Sequence, residues 1–300
     1  MRIRKNISIQ SLKNNFRNIK IDNKKYSVLN KKFDLNLSLQ QYSKLFDDFS
    51  KNIKQGKTYQ IKIAQTYSKK GKVNAVELFW KLMKMNESPE SFLIRDKNYS
   101  IISCSPETLI LKKKNLITTK PIAGTLRKTK SLNKNKALSF FRKNEKETKE
   151  HNMIVDMERN DLSKICKTGS VKIEKLKRVE EYRDLFHYVS TIKGLIKKNI
   201  TNHEIISSLM PGGSVIGCPK ISTIQLLNNK EKNDRNIYTG SFGVIHSNGD
   251  MRFNIMIRTL LNFKNNINLS VASGVILGST AKKEYNENYI KAKSLLELFH

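Results

Sequence analysis

Apolar residues recur at roughly helical spacing over residues 39–53, and Gly56 stops that pattern before Tyr59, Ile61 and Ile63 alternate as a strand. The spacing therefore predicts a helix feeding a strand. Residues 74–84 (NAVELFWKLMK) predict an amphipathic helix. The runs SFLIRD, YSIISCS and TLILKKK that follow, separated by polar turns, read as an antiparallel meander. Residues 132–154 form a charged helical stretch, the turn around Gly169 leads into a strand at 171–173, and 182–195 carry a mixed apolar run. Three β-rich runs at 237–245, 251–260 and 267–277, with turns at Ser247-Asn248-Gly249 and Asn265-Asn266, predict a second meander before a C-terminal helix. Strands in groups with helices between the groups favour an α+β fold over a parallel doubly wound sheet. Residues 1–35 are polar, basic and weakly periodic and read as an arm or a single edge element, which leaves 36–300 as the main domain. There is no internal repeat and no low-complexity linker.

Composition changes this picture little. At 300 residues with 38% hydrophobic content, the chain can bury a sizeable core as one large domain or two small ones. The formal net charge of +31 raises a nucleic-acid hypothesis. The excess, however, is mostly Lys scattered with Asn and Ile, as in 112–115 and 128–136, a bias that an AT-rich genome produces without selection for a polyanion. An unusually basic solvated surface is the simpler reading, and no nucleic-acid partner is expected. Cys104, Cys166 and Cys218 are odd in number, widely spaced and without a CxxC pair, which supports neither a disulfide framework nor a zinc site and fits a reducing cytoplasm. The start MRIRKNISIQ lacks the apolar core of a signal peptide, and no run of about 18 apolar residues could span a bilayer, so a soluble cytoplasmic protein is expected.

Candidate chemistry is sparse and, taken singly, ambiguous. Glu147 and Glu150 stand three apart on a predicted helix, which puts both carboxylates on one face, and Glu284 and Glu287 repeat that spacing near the C-terminus. Two such pairs can converge on one divalent ion such as magnesium, which takes oxygen ligands. In a charged helix, however, acidic pairs three apart are ordinarily solvated surface. The run Pro211-Gly212-Gly213-Ser214, continuing through Gly217-Cys218-Pro219-Lys220, could present backbone N–H groups and the Lys220 ammonium to a carboxylate, or could be a tight turn with no ligand. It lacks the order of a Walker A loop. Gly124-Thr125 and Arg258 are similarly open between anion binding and structure. His187, among the apolar neighbours of LFHYVST, fits a satisfied core histidine as well as a catalyst, and no nucleophile triad can be assembled.

Taken in order, these segments resemble the chorismate-binding family, which includes anthranilate synthase component I, aminodeoxychorismate synthase component I and the isochorismate and salicylate synthases. KPIAGTLRK is similar to the family's PIxGT block and EHNMIVDMERNDLSKICKTGSV to its acidic helix and RNDL signature. HYVSTIKG is similar to its HxVS block and PGGSVIGCPK to its PGGSxxGAPK block. YTGSFGV and MRFNIMIRTL match its next two strands, and ASGVILGSTAKKEYNENYIKA its final Gly-rich strand and acidic helix. The similarity runs from about residue 39 to 298. It implies a fold of two large antiparallel β-sheets flanked by helices, with 36–300 as the catalytic domain.

The resemblance also implies roles at the matching positions. Glu147, Glu150, Glu284 and Glu287 would surround Mg2+, which would polarise the ring carboxylate of chorismate. Tyr238 and Arg258 would hold the enolpyruvyl carboxylate, with Gly274 and Gly124-Thr125 giving close backbone approach and a hydroxyl contact, and Lys220 lies in the matching Gly-rich block. Glu107, in Ser105-Pro106-Glu107, would protonate the departing C4 hydroxyl, and His187 would border the substrate ring. Isochorismate and salicylate synthases have a water-activating Lys where this chain has Gln60, so Gln60 implies ammonia as the nucleophile. PGGS and the IAQ after Gln60 point to aminodeoxychorismate synthase, in the p-aminobenzoate branch of folate synthesis. Ala123 points to anthranilate synthase instead, since many aminodeoxychorismate synthases have a nucleophilic Lys there. The short region before residue 39 favours the folate branch, and the net charge of +31 supports a third reading, a catalytically degenerate basic binding protein. The chain contains no glutaminase triad, so ammonia is expected from a separate glutamine amidotransferase subunit in a heterodimer, and no membrane partner is expected.

Overall fold

The computed structural model describes residues 32–129, 131–182 and 185–299; the proposed arm at 1–35 lies almost entirely outside these described residues. The chain opens with a two-residue strand β1 (Asp34–Leu35) and helix α1 (Leu39–Lys54). The Ser38 side chain accepts from the Gln41 N–H while Gln41 returns a bond to the Ser38 backbone, a reciprocal cap that fixes where α1 starts. Tyr42, Phe46, Phe49 and Ile53 then fall on its buried face. Strand β2 (Gln60–Lys70) extends seven residues beyond the short alternation at 59–63. Helix α2 (Ala75–Met85), capped by Asn74, matches the amphipathic segment.

Strands β3 (Glu90–Arg95) and β4 (Tyr99–Ser105) form a hairpin, but β5 (Thr108–Lys113) does not continue it. The chain changes sheet at Pro106-Glu107, and β5 pairs instead with β6 (Leu116–Lys120), ahead of β7 (Ile122–Arg127). The predicted single helix over 132–154 is two helices, α3 (Lys134–Lys143) and α4 (Glu145–Ile165). Asn144 breaks them: its extended backbone ends α3, and its side chain accepts from the Glu147 N–H to start α4. Strand β8 (Lys172–Glu181) is much longer than the alternation at 171–173, and it pairs with β9 (Leu185–Leu195) through two register shifts.

Helix α5 (Asn202–Leu209), the single turn α6 (Gly213–Ile216), the two-residue β10 (Gly217–Cys218) and α7 (Lys220–Lys230) lead to the last strands. The expected meander over 237–277 is also split. Residues 237–240 form a turn, β11 (Gly243–Ile245) pairs with β12 (Met251–Asn254), and the chain then crosses back, so that β13 (Thr259–Phe263) and β14 (Asn266–Ile276) join the first sheet. Helix α8 (Ala281–Leu296) closes the chain with a short 3-10 turn.

The result is two seven-stranded antiparallel sheets. One runs β1-β2-β14-β13-β4-β3 with β10 on β2, the other β11-β12-β5-β6-β9-β7 with β8 on β9. The α+β prediction and the implied two-sheet architecture therefore hold. The main core joins α1 and α4 to both sheets, bringing Tyr42 and Phe49 together with Ile61, Ile63, Ile110, Ile117, Leu162 and Ile192. A second core under α2 and α8 contains Leu82, Ile102, Leu260 and Leu295. All three cysteines are free, and among the described residues no helix is long and apolar enough to cross a membrane.

The glycine run at 212–217 explains itself by packing. A Cβ on Gly213 would lie 1.7 Å from Met157 Cε on α4, and one on Gly217 would lie 2.1 Å from the Gln60 carbonyl oxygen. Gly217 also has φ +132°, a conformation reserved for glycine. We expect Gly217→Ala to cost at least about 1–3 kcal/mol of stability, read as a lowered midpoint in denaturant unfolding. A change under about 0.5 kcal/mol would show that the strand and loop separate at little cost.

Candidate active site

The crossovers at Pro106-Glu107 and at 255–258 are joined to each other. The Ile255 N–H donates to the Glu107 carbonyl at 3.1 Å, the Cys104 N–H donates to the Arg258 carbonyl at 3.1 Å, and the Ser105 hydroxyl donates to the Ile255 carbonyl at 2.6 Å. Glu107 and Arg258 are thereby brought to one seam between the sheets although 151 positions separate them. Arg258 has φ +50°, the unfavourable left-handed region for a residue with a side chain. Its buried Nη1 has no hydrogen-bond partner among the described residues.

The long β2–β14 pair supplies the floor. Its register sets Lys62 opposite Gly274 and Gln60 opposite Ile276, so Gln60, Lys62 and Gly274 share one face while Ile61 and Ile63 enter the core from the other. A Cβ on Gly274 would meet Gln60 Nε2 at 2.5 Å, Lys62 Nζ at 2.7 Å and Glu150 Oε1 at 3.0 Å. Glycine is what lets these three groups approach the backbone. Gln60 is fully buried, yet neither its Oε1 nor its Nε2 has a partner among the described residues. Such a group is costly unless something is bound to it.

The wall is made by α4 and α8. On α4 the buried face carries Glu150, His151, Glu158 and Asp161 among Ile154, Val155 and Leu162, so an apparently charged surface helix turns part of its charge inward. Lys62 Nζ lies 2.5 Å from Glu150 Oε1, and this ammonium holds the Glu150 carboxyl below its ordinary value against the opposing effect of burial. On α8, Glu284 accepts from Lys146 at 2.6 Å, and Glu287 is 2.7 Å from Lys291 and 3.6 Å from Lys146. Burial pushes Glu287 upward, but Lys291 and Lys146 outweigh it and hold the carboxyl low. For Glu147 the pull of the same two lysines is not enough. Burial, then the negative charges of Glu150 and Glu287, push it up to about 7.

The remaining assigned residues close the ring. A Cβ on Gly124 would lie 3.0 Å from Glu147 Oε2, and the Gly124 backbone is hydrogen-bonded to His187. His187 packs edge-to-face on Tyr182 with ring centroids 5.1 Å apart, and burial together with the nearby Arg258 charge keeps the imidazole neutral. Thr125 pairs in register with His187, but its side chain lies outside the described residues. Tyr238 lies in the turn whose Thr239 N–H donates to the Met256 carbonyl, beside the Arg258 crossover, and burial raises its phenol to about 12. Glu107 is buried, accepts from the Ile122 N–H at 3.3 Å and feels Lys62 and Arg258; burial nevertheless pushes its carboxyl up to about 7.

Lys220 is not part of this ring. Its ammonium is held by Asp161 at 2.6 Å and by the Leu209 carbonyl at 3.2 Å, so the basic end of the Gly-rich block ties α7 to α4. Sequence reasoning missed Lys62, Lys146, Lys291 and Glu158. Glu158 is buried and raised to about 8 by desolvation, with Glu107 and Asp161 adding to the shift after burial. Of these only Lys62 left a trace, as a polar residue alternating with isoleucines in QIKIAQ.

The carboxylates of Glu147, Glu150, Glu284 and Glu287 are oxygen donors of the type magnesium takes. Two observations fit a cation between them: burial, with the like charges of Glu150 and Glu287 adding to it, raises Glu147 to about 7, and the buried Glu284 Oε2 has no partner among the described residues. Three lysines share the same carboxylates, and among the described residues no three acidic, His or Cys side chains already stand at ligating distance.

Comparison with known proteins places this arrangement. The model of the chorismate binding enzyme family matches residues 5–297. The anthranilate synthase component I-like protein of Synechocystis sp. is 34% identical over 259 residues, 85% of this chain and 53% of its own. Aminodeoxychorismate synthase component 1 of Bacillus subtilis is 33% identical over 252 residues, 84% of this chain and 54% of its own. The crystal structure of anthranilate synthase component I from Streptococcus pneumoniae superposes with a TM-score of 0.82 at 29% identity, covering 96% of this chain and 64% of that one. The chain spans about half the length of the curated relatives it matches. With the family model matched over nearly the whole chain, the sequence blocks in order and two sheets of the same architecture, the chain belongs to the chorismate binding enzyme family.

Proposed function

We propose that the chain is the chorismate-using component of an aminodeoxychorismate synthase, which replaces the C4 hydroxyl of chorismate with an amino group from ammonia and releases water. The observation that carries this reading is the seam itself: a buried carboxyl near neutrality, Glu107, faces Lys62 and Arg258 beside a four-carboxylate cluster. A hydroxide leaves poorly unless protonated, and an acid titrating near 7 is matched to giving that proton.

Chorismate carries two carboxylates and a ring hydroxyl. Arg258, with its unpartnered Nη1, and Tyr238 would receive the enolpyruvyl carboxylate, since a buried guanidinium gains most from an anion it can bind directly. Gly124 and Gly274 would let the ring approach the backbone, and the neutral His187 would border it. Glu147, Glu150, Glu284 and Glu287 would hold Mg2+, which supplies Lewis-acid neutralisation of the ring carboxylate. Gln60 cannot activate water as a base, but its amide can position an amine nucleophile that needs no deprotonation. The ammonia would come from a glutamine amidotransferase partner or from free ammonium.

One observation favours a second reading. Ala123 is buried on β7 and offers no amine for a covalent intermediate, which suits anthranilate synthase component I as well, and relatives of both names stand at nearly the same identity. Purified protein incubated with chorismate, Mg2+ and ammonium, then chromatographed with and without an aminodeoxychorismate lyase, separates the two. Lyase-dependent p-aminobenzoate is the expected product. Fluorescent anthranilate without lyase would assign the second reading, and neither product would reject both.

A further inference from the structure

The carboxylate cluster contains three ammonium groups of two kinds. Lys146 and Lys291 project from α4 and α8, the same helices that carry the carboxylates; Lys291 is one turn beyond Glu287 on α8. Lys62 comes from the sheet. It is 6% exposed, its Nζ lies 2.5 Å from Glu150 Oε1, and it faces the unpartnered Gln60 amide across Gly274. An ammonium there occupies a carboxylate oxygen that a divalent ion needs and places a positive charge beside the ion's own position.

We propose that Lys62 is a resident cation that competes with the divalent metal for Glu150, so that metal enters only as the Lys62 ammonium moves off that carboxylate. This rests on the magnesium reading of the four glutamates. The side chain has somewhere to go. Its four-carbon stem is flexible, and Gln60 Oε1 is a buried acceptor without a partner among the described residues; the Glu107 carboxyl is also within electrostatic reach of Lys62. Metal-free, the site would be held together by Lys62 on Glu150. Metal-loaded, Lys62 would lie over Gln60 and Glu107, adding positive charge where the substrate's anionic groups arrive.

The test is Mn2+ binding to the whole chain, followed by loss of the free-ion electron paramagnetic resonance signal, in wild type, Lys62→Met, Lys62→Gln, Lys62→Arg and Glu147→Gln. Removing the charge is expected to tighten Mn2+ binding at least tenfold in the Met and Gln variants, while Lys62→Arg, which keeps the charge, does not tighten it. Circular dichroism with and without Mn2+ reports folding; a Met or Gln variant that folds only with Mn2+ would also support competition. Unchanged or weaker binding in both neutral variants, with Glu147→Gln still abolishing binding in wild type, would overturn the role of Lys62 and leave the magnesium reading intact. A neutral variant that stays unfolded at saturating Mn2+ would likewise overturn it, because the metal could not then take the lysine's place. No Mn2+ binding by any variant, Lys62→Met included, would overturn both.

Discussion

Glu107→Gln is expected to lower the rate of the proposed chorismate amination by about 10²- to 10⁴-fold, the range a positioned general acid contributes. Gln is close in size and keeps an oxygen for the Ile122 N–H, so the loss should fall on kcat rather than on folding. The pH profile provides the sharper check. With the carboxyl near 7, the protonated fraction falls as pH rises through 7, so wild-type kcat/KM should decline on the alkaline side and the variant should lack that decline. Stability also falls as pH rises, over a window that starts lower. A buried carboxyl whose folded value exceeds its ordinary 4.5 binds more protons folded than unfolded between 4.5 and about 7, so wild-type stability falls across that window and the full penalty persists above it. Glu107→Gln should therefore be at least as stable as wild type at pH 8. A variant that retains full activity with an unchanged profile would remove Glu107 from the chemistry.

Glu147→Gln is expected to abolish Mg2+-dependent turnover while leaving the protein folded. Among the four glutamates it gives the cleanest test. Glu150 is paired with Lys62, and truncating one member of a buried pair typically costs about 3–5 kcal/mol because the other charge is left unpaired. A Glu150→Ala variant could therefore lose activity simply by losing structure. Glu147 is instead pushed up by burial and then by Glu150 and Glu287, so a neutral amide relieves repulsion. The expected result is a thermal midpoint at pH 8 no lower than wild type, together with lost Mn2+ binding and lost activity. Full Mg2+-dependent activity in this variant would sink the proposed metal site.

Much of the fold was legible because it depends on local rules. The apolar stripes of α1 and α2, the alternation at the start of β2 and the β-rich run of β14 each show in a short window of sequence. The two meanders were misjoined because the crossover at Pro106-Glu107 looks like an ordinary turn and the one at 255–258, Ile-Met-Ile-Arg, reads as the inside of a strand; which sheet a strand joins is settled by partners more than a hundred residues away. The α3–α4 break rests on one Asn side chain capping an N–H. The glutamate pairs were visible as spacing, but helical spacing is the same for a solvated pair as for a buried one, and only the linked family blocks raised them above that ambiguity.

The sequence by itself determined the α+β class, most helices and strands, the family blocks and the residue types of the candidate site, since these follow from short-range periodicity and from the identity of residues in fixed order. The tertiary structure alone decided that α4 turns Glu150 and Glu158 inward, that Lys220 is spent on Asp161, and that Lys62 stands on Glu150 beside an unpartnered Gln60. Burial and the distance between charges arise only when segments far apart in the chain are packed together. Those two quantities set the protonation of Glu107 and Glu147 and the competition expected at Glu150.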